Sequence, residues 1–241
     1  MKWLSGGLLC VFAACTAAHR PELPADPYAI EADPRFVKTD RLGTRTCFTA
    51  TGSRWPDLLP RGALALNLGS FLEMDRRSQD SQDSSQCRCS LILLLLNEAS
   101  MLPLAPDSEV YRFTWIPSFH ANRIIRVERR GNVYSLHVKV EGNDEGALAT
   151  DRRILLTPTQ WQALQQRLEQ ARFWSQVHFS SPLPYAYSDG ATWLFEGGRS
   201  GRYRALDIHS PNRDGLAGPF YELGAFLLEL SGIPMTEYTL Y

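Results

Sequence analysis

Asp189, Glu196, Asp207 and His209 are the polar side chains best placed by spacing to share a chemical task. All four fall in residues 188–211, SDGATWLFEGGRSGRYRALDIHSP, among aromatic residues. Asp207 and His209 stand at i and i+2, which on a strand puts both on one face. A carboxylate beside an imidazole there offers two ligands to a divalent ion. Each residue also has a plainer reading. Asp189-Gly190 is a common turn dipeptide, and a histidine on a strand is satisfied by an ordinary hydrogen bond. Glu196 is placed to face Arg204 across a hairpin, a contact worth roughly 0.2–1 kcal/mol. The plainer readings are preferred, so no residue is given a catalytic role and no metal or cofactor is expected.

Other reactive patterns are incomplete. Ser200, in Arg-Ser-Gly, lacks a Gly-x-Ser-x-Gly elbow and reads as a turn residue. His120, His137 and His178 occur singly, without an HExxH pattern. Gly197, Gly198 and Gly201 join strand to strand, where a dinucleotide fingerprint joins strand to helix. Trp161, Trp174 and Trp193 could stack on a sugar, but their positions on apolar faces favour core.

Three of the five cysteines bear on the folded chain. Cys10 lies in an apolar leader, with Lys2 before it and residues 3–14 as its hydrophobic stretch. That leader ends in Val-Phe-Ala-Ala-Cys, which resembles a lipobox with Phe12 where leucine is usual. Cys15 is therefore the expected lipidation site, carrying palmitate-type acyl chains that would hold the protein on a membrane. Ordinary cleavage after Ala17 or Ala18 is the alternative. Cys47, Cys87 and Cys89 remain, and in an oxidising compartment Cys47 is expected to bridge Cys87 or Cys89. A metal reading of Cys87-Arg88-Cys89 fails on spacing, one intervening residue rather than two to four.

These residues need a scaffold, and the pattern supplies an α+β one with a mainly antiparallel sheet and two packed helices. Residues 1–14 read as a lipoprotein-type signal peptide. Residues 15–34, with four prolines, read as a tether. Residues 35–108 form an N-terminal region with a polar loop at 73–90, followed by a six-residue apolar strand at 91–96. Residues 109–241 form the α+β domain. Strands are expected at 110–116, 123–129, 133–140 and 153–156, with Arg130-Gly131-Asn132 as a hairpin turn. Ile125 and Val127 share a face with Leu136 and Val138, leaving Arg126, Glu128, His137 and Lys139 on a wetter one. Thr157-Pro158-Thr159-Gln160 is a capping box opening a helix that buries Trp161, Leu164 and Leu168 and ends near Trp174. A Gly-Gly-Arg-Ser-Gly turn joins the strands of the 188–211 hairpin, expected at the centre of the sheet. A last helix covers about residues 220–231, with Gly232 and Pro234 as its stop.

Phe173-Trp174, the run Asp189-Gly190-Ala191-Thr192-Trp193-Leu194-Phe195-Glu196-Gly197, Gly201-Arg202-Tyr203 and Leu230-Ser231-Gly232 resemble a group of uncharacterised bacterial proteins, many exported or lipid-anchored. The resemblance spans about residues 110–235 and implies an envelope location without implying any activity. Ile208-His209 departs from the Arg-Trp pair that other members carry there.

With 25 basic and 26 acidic residues, the net charge of −1 supplies no overall field for nucleic acid or an anionic membrane. The expectation is a non-catalytic cell-envelope lipoprotein, a binding or accessory module facing the periplasm at the outer membrane. Its partners are the membrane, through the anchor, and an envelope protein. A periplasmic hydrolase using the 188–211 hairpin, an inhibitor or immunity-type module, and a soluble periplasmic or secreted location are the alternatives.

Overall fold

Strand β4, Ser108–Pro117, is buried along nearly its whole length. It lies inside a six-stranded sheet and is covered on both faces. The computed structural model describes residues 37–39, 45–48, 54–60, 63–64, 76–144, 146–175 and 190–233. Beside β4 run β5 (Arg123–Arg130), β6 (Val133–Glu141) and β7 (Leu148–Leu155) on one side, and β8 (Ala191–Arg199) and β9 (Arg202–His209) on the other. Every neighbouring pair is antiparallel, in the order β7-β6-β5-β4-β8-β9. This is the expected α+β, mainly antiparallel class. The hairpin of residues 188–211, however, lies at one side of the sheet with β9 as the edge. β4 occupies the interior position that sequence reasoning gave to the hairpin.

Alternation on the strands divides the side chains between two cores. Phe113, Trp115, Ile125, Val127, Leu136, Trp193, Phe195 and Leu206 face one side. There they meet α2 (Pro158–Gln170) and α3 (Gly218–Ser231), which bury Trp161, Leu164, Leu168, Phe220, Leu223 and Leu227. The capping box forms as expected: the Thr157 hydroxyl accepts from the Gln160 amide, and the Gln160 side chain accepts from the Thr157 amide. α2 ends earlier than expected, at Gln170, and residues 171–175 turn back over the sheet. Gly197 admits that turn, because a Cβ there would sit 2.5 Å from the Phe173 ring. Gly197 and Gly198 are thus strand residues, and the turn itself is Ser200-Gly201, both at positive φ.

The opposite face carries a third helix, where two were expected. α1 spans Arg76–Leu95, joining the supposed polar loop and the supposed buried strand into one element. Cys89, Leu93 and Leu96 form its sheet-facing stripe, at helical spacing, against Ile116, Ile124, Leu194 and Ala205. Gln86 and Ser90, one turn apart, hold the buried Asp57 carboxylate at 2.7 Å each. The same helix face region is tied to a small antiparallel sheet, β1 (Val37–Thr39), β2 (Arg45–Phe48) and β3 (Arg54–Pro56). Cys47 is bridged to Cys87, and the Trp55 indole donates to the Cys87 carbonyl at 2.9 Å. Residues two apart on a helix point about 200° away from each other. Cys87 therefore meets β2 while Cys89 points at the main sheet, a buried free thiol.

Candidate functional site

The face under α1, expected to be the wetter one, contains a row of charge crossing the sheet. Register pairs Glu196 on β8 with Arg112 on β4, Arg112 with Arg126 on β5, and Arg126 with His137 on β6. The Arg112 guanidinium grips Glu196 with two bonds, Nε to Oε2 at 2.6 Å and Nη2 to Oε1 at 2.8 Å. Both side chains are sealed, at 1% and 0% exposure. Tyr203 on β9 donates its hydroxyl to Glu196 Oε1 at 2.8 Å. Glu196 is therefore held by Arg112 and Tyr203. Arg204, its expected partner, pairs in register with Gly197 instead.

Glu98, just beyond α1, closes the row from above. Its Oε2 accepts from Arg112 Nη1 at 3.1 Å and lies 3.3 Å from Arg126 Nε, while Oε1 is 2.9 Å from Lys139 Nζ. Burial alone would raise this carboxyl. Arg112 first, then Arg126 and Lys139, more than reverse that and hold it below its ordinary value. In the same way, burial opposes the charge on Arg112, yet Glu196 and Glu98 push its guanidinium above the usual range. Burial, with Glu196 next, pushes the Tyr203 phenol well up, so it stays a donor.

At the far end of the row, Arg126 Nη2 lies 3.1 Å from His137 Nδ1, and His137 Nε2 lies 2.5 Å from Asp151 Oδ1. A guanidinium can only donate. Nδ1 must therefore accept, leaving the ring proton on Nε2 for Asp151. Both ring nitrogens of His137 are occupied.

Three of the four residues nominated from the sequence are described. Glu196 is inside the sealed row. Asp207, on β9, accepts from Ser85 of α1 at 3.2 Å. His209 is exposed at the end of β9. Asp189 lies outside the described residues, as do Cys15 and His178. Among the described residues no group of three or more His, Cys, Asp or Glu side chains gathers to hold a metal ion. The Cys89 thiol is pushed well up by burial, and then by Asp207 and Glu196, which keeps it protonated and unreactive.

A second row crosses the other face, at the end of the sheet where β4 begins. Register pairs Arg129 on β5 with Glu109 on β4, Glu109 with Arg199 on β8, and Arg199 with Arg202 on β9. Glu109 accepts from the Tyr111 hydroxyl at 2.6 Å and from Arg129 at 3.2 Å, and Arg199 stands 3.7 Å away. Trp174, expected in the core, is half-buried and donates to the Tyr111 hydroxyl at 3.1 Å.

Neither row was legible as a site from the sequence. The only signal was charge alternating with apolar residues along β4 and β5, and a single strand cannot say which charge stands opposite. The arrangement belongs to α+β proteins whose sheet is covered on both faces. No family model matches the chain, and no curated protein matches it.

Proposed function

We propose that this chain is a non-catalytic cell-envelope lipoprotein, a binding or accessory module anchored through Cys15 and facing the periplasm. The observation that carries the reading is Glu196. Its carboxylate accepts two bonds from Arg112 and one from Tyr203 in a region closed to solvent. An acid placed in this way holds strands together; it does not meet a substrate. The Cys47–Cys87 bridge adds support for export, since disulfides persist in oxidising compartments. The Ala-Ala-Cys end of the leader and the proline-rich tether at residues 15–34 support the anchor.

Cys15→Ala should move the protein out of the membrane fraction, and intact-mass analysis should lose the acyl mass. A wild-type chain that is soluble and begins at Ala18 or His19 would refute anchoring. The non-catalytic reading is tested separately. A divalent ion bound near one per chain, and lost in the Asp207→Asn/His209→Gln double variant, would transfer the protein to the metal-dependent hydrolases. Crosslinking in intact envelopes with mass identification then names the protein partner, and a bound toxin there would make it an immunity-type module.

A further inference from the structure

Among the described residues, the second row carries more cations than paired carboxylates. Arg129, Arg199, Arg202 and Arg204 bring four guanidinium groups to one end of the sheet, and among the described residues Glu109 is the carboxylate paired with them. Glu109 is already engaged by Tyr111 and Arg129. Arg202 and Arg204 donate to the carbonyl oxygens of Trp174 and Ser175, which are dipoles and leave the net charge in place. Four cations against one anion leave three positive charges, in a protein whose overall charge is −1. The cluster is also fixed in position. The Arg199 and Arg202 guanidinium carbons lie 4.7 and 5.2 Å from the Trp174 ring centre, and that of Arg204 lies 6.0 Å from the ring of Phe173. Burial holds the Arg204 guanidinium below its ordinary value, and Arg202 adds to the effect, as expected of cations crowded together.

Large aliphatic side chains stand exposed at the same end. Val133 follows the β5–β6 turn and is 57% exposed, and Leu155 ends β7 at 75%. Both project from the α1 face of the sheet, away from the arginines, since Leu136 and Ile154 are the neighbours that face α2 and α3.

We propose that the arginine-bearing rim docks on the phosphodiester headgroups of an anionic lipid surface. Guanidinium forks match phosphate oxygens in pairs. The forks stand on three strands, β5, β8 and β9, so they address several anions side by side, as a headgroup layer presents them. A half-buried tryptophan set among arginines is a pairing found at membrane interfaces. The proposal rests on the envelope reading in one respect: the tether keeps a bilayer within reach. The net charge conceals the rim because acidic residues elsewhere cancel it.

Arginine footprinting on the whole chain tests this without any variant. The protein is treated with a phenylglyoxal reagent in the presence of phosphatidylcholine vesicles, or vesicles also containing phosphatidylglycerol, and modified peptides are mapped. Modification of Arg199, Arg202 and Arg204 should fall on the order of fivefold with the anionic vesicles, the factor expected of one cation near such a surface. Salt at about 0.5 M should restore it, and Arg213, on the loop before α3, should be unchanged. Equal modification with both vesicle types would overturn the proposal. So would equal protection by inorganic phosphate alone, which would make the rim a site for free phosphate. Intact mass read on the same samples separates the two readings. An unacylated chain protected by anionic vesicles loses the anchor and keeps the surface; an acylated chain left unprotected loses the surface and keeps the anchor.

Discussion

The two charged rows use the same chemistry, arginine against carboxylate across antiparallel strands, and reach opposite outcomes. Under α1, three cations (Arg112, Arg126 and Lys139) meet two carboxylates, Glu98 and Glu196, with Arg112, Glu98 and Glu196 at 3% exposure or less. At the rim, four cations meet one carboxylate, and Arg129 and Arg199 are each about a third exposed. The difference lies in the cover. α1 and the segment after it exclude water from Arg112, Glu98, Glu196 and Lys139, so those charges must be answered, while Arg126 at the end of the row is 30% exposed. Solvent reaches the rim, where an unanswered guanidinium costs little. A sealed row specifies the fold, and an open row is available to a partner.

The largest expected effect is on the sealed row. Glu196→Ala should lower unfolding free energy by about 3–5 kcal/mol, because it strands Arg112 in a closed site. The Arg112→Met/Glu196→Met pair should recover most of that loss in urea denaturation. If Glu196→Ala costs no more than about 1 kcal/mol, the row is not sealed.

Next is the bridge that ties α1 to β2. Cys47 and Cys87 are 40 residues apart, so Cys47→Ser should cost roughly 2–4 kcal/mol. The loss should appear on adding reductant to the wild type and be absent from the variant. Reductant that leaves the midpoint unmoved would mean the bridge does not hold the cover in place.

Acid should then loosen the sealed row through Glu98. Its folded value lies below the ordinary 4.5, so its contribution is complete above that pH and is lost as pH falls through the folded value. Other carboxylates titrate too, so the measurement is the difference between wild type and Glu98→Gln. That gap should be constant above about pH 4.5 and narrow below it. A gap independent of pH would show that the Glu98 charge does not hold the row.

The smallest effect belongs to the rim. Arg199→Gln or Arg202→Gln should change stability by less than about 1 kcal/mol, since exposed pairs and cation–π contacts contribute little. If either variant destabilises the protein as much as Glu196→Ala, the contrast between the rows fails.

Much of the scaffold was legible locally. The capping box at Thr157, the strands on either side of Gly131-Asn132 and the stop at Gly232 are each written in a few adjacent residues, and each formed. α1 was not legible, because its first half is polar and its last five residues are continuously apolar, so neither shows a helical period. Only the packed form reveals that Gln86 and Ser90 belong to one face and Cys89 and Leu93 to another. The choice of Cys87 over Cys89 follows from the same helix.

The sequence by itself determined which residues alternate on each strand, where α2 and α3 begin or stop, and that Cys47 had a partner near residue 88. Tertiary structure alone decided what stands opposite what. Glu196 faces Arg112, 84 residues away, because β8 pairs with β4 in one register, and a shift of one residue would turn it to the other core. Arg199 faces Glu109 by the same pairing, but at an end of the sheet that α2 covers only through Trp161 and Gln165, with Arg199 a third exposed. Local patterns fix each strand's two faces; register and cover, which depend on residues far apart in the chain, fix whether a charge on a face is answered or left open.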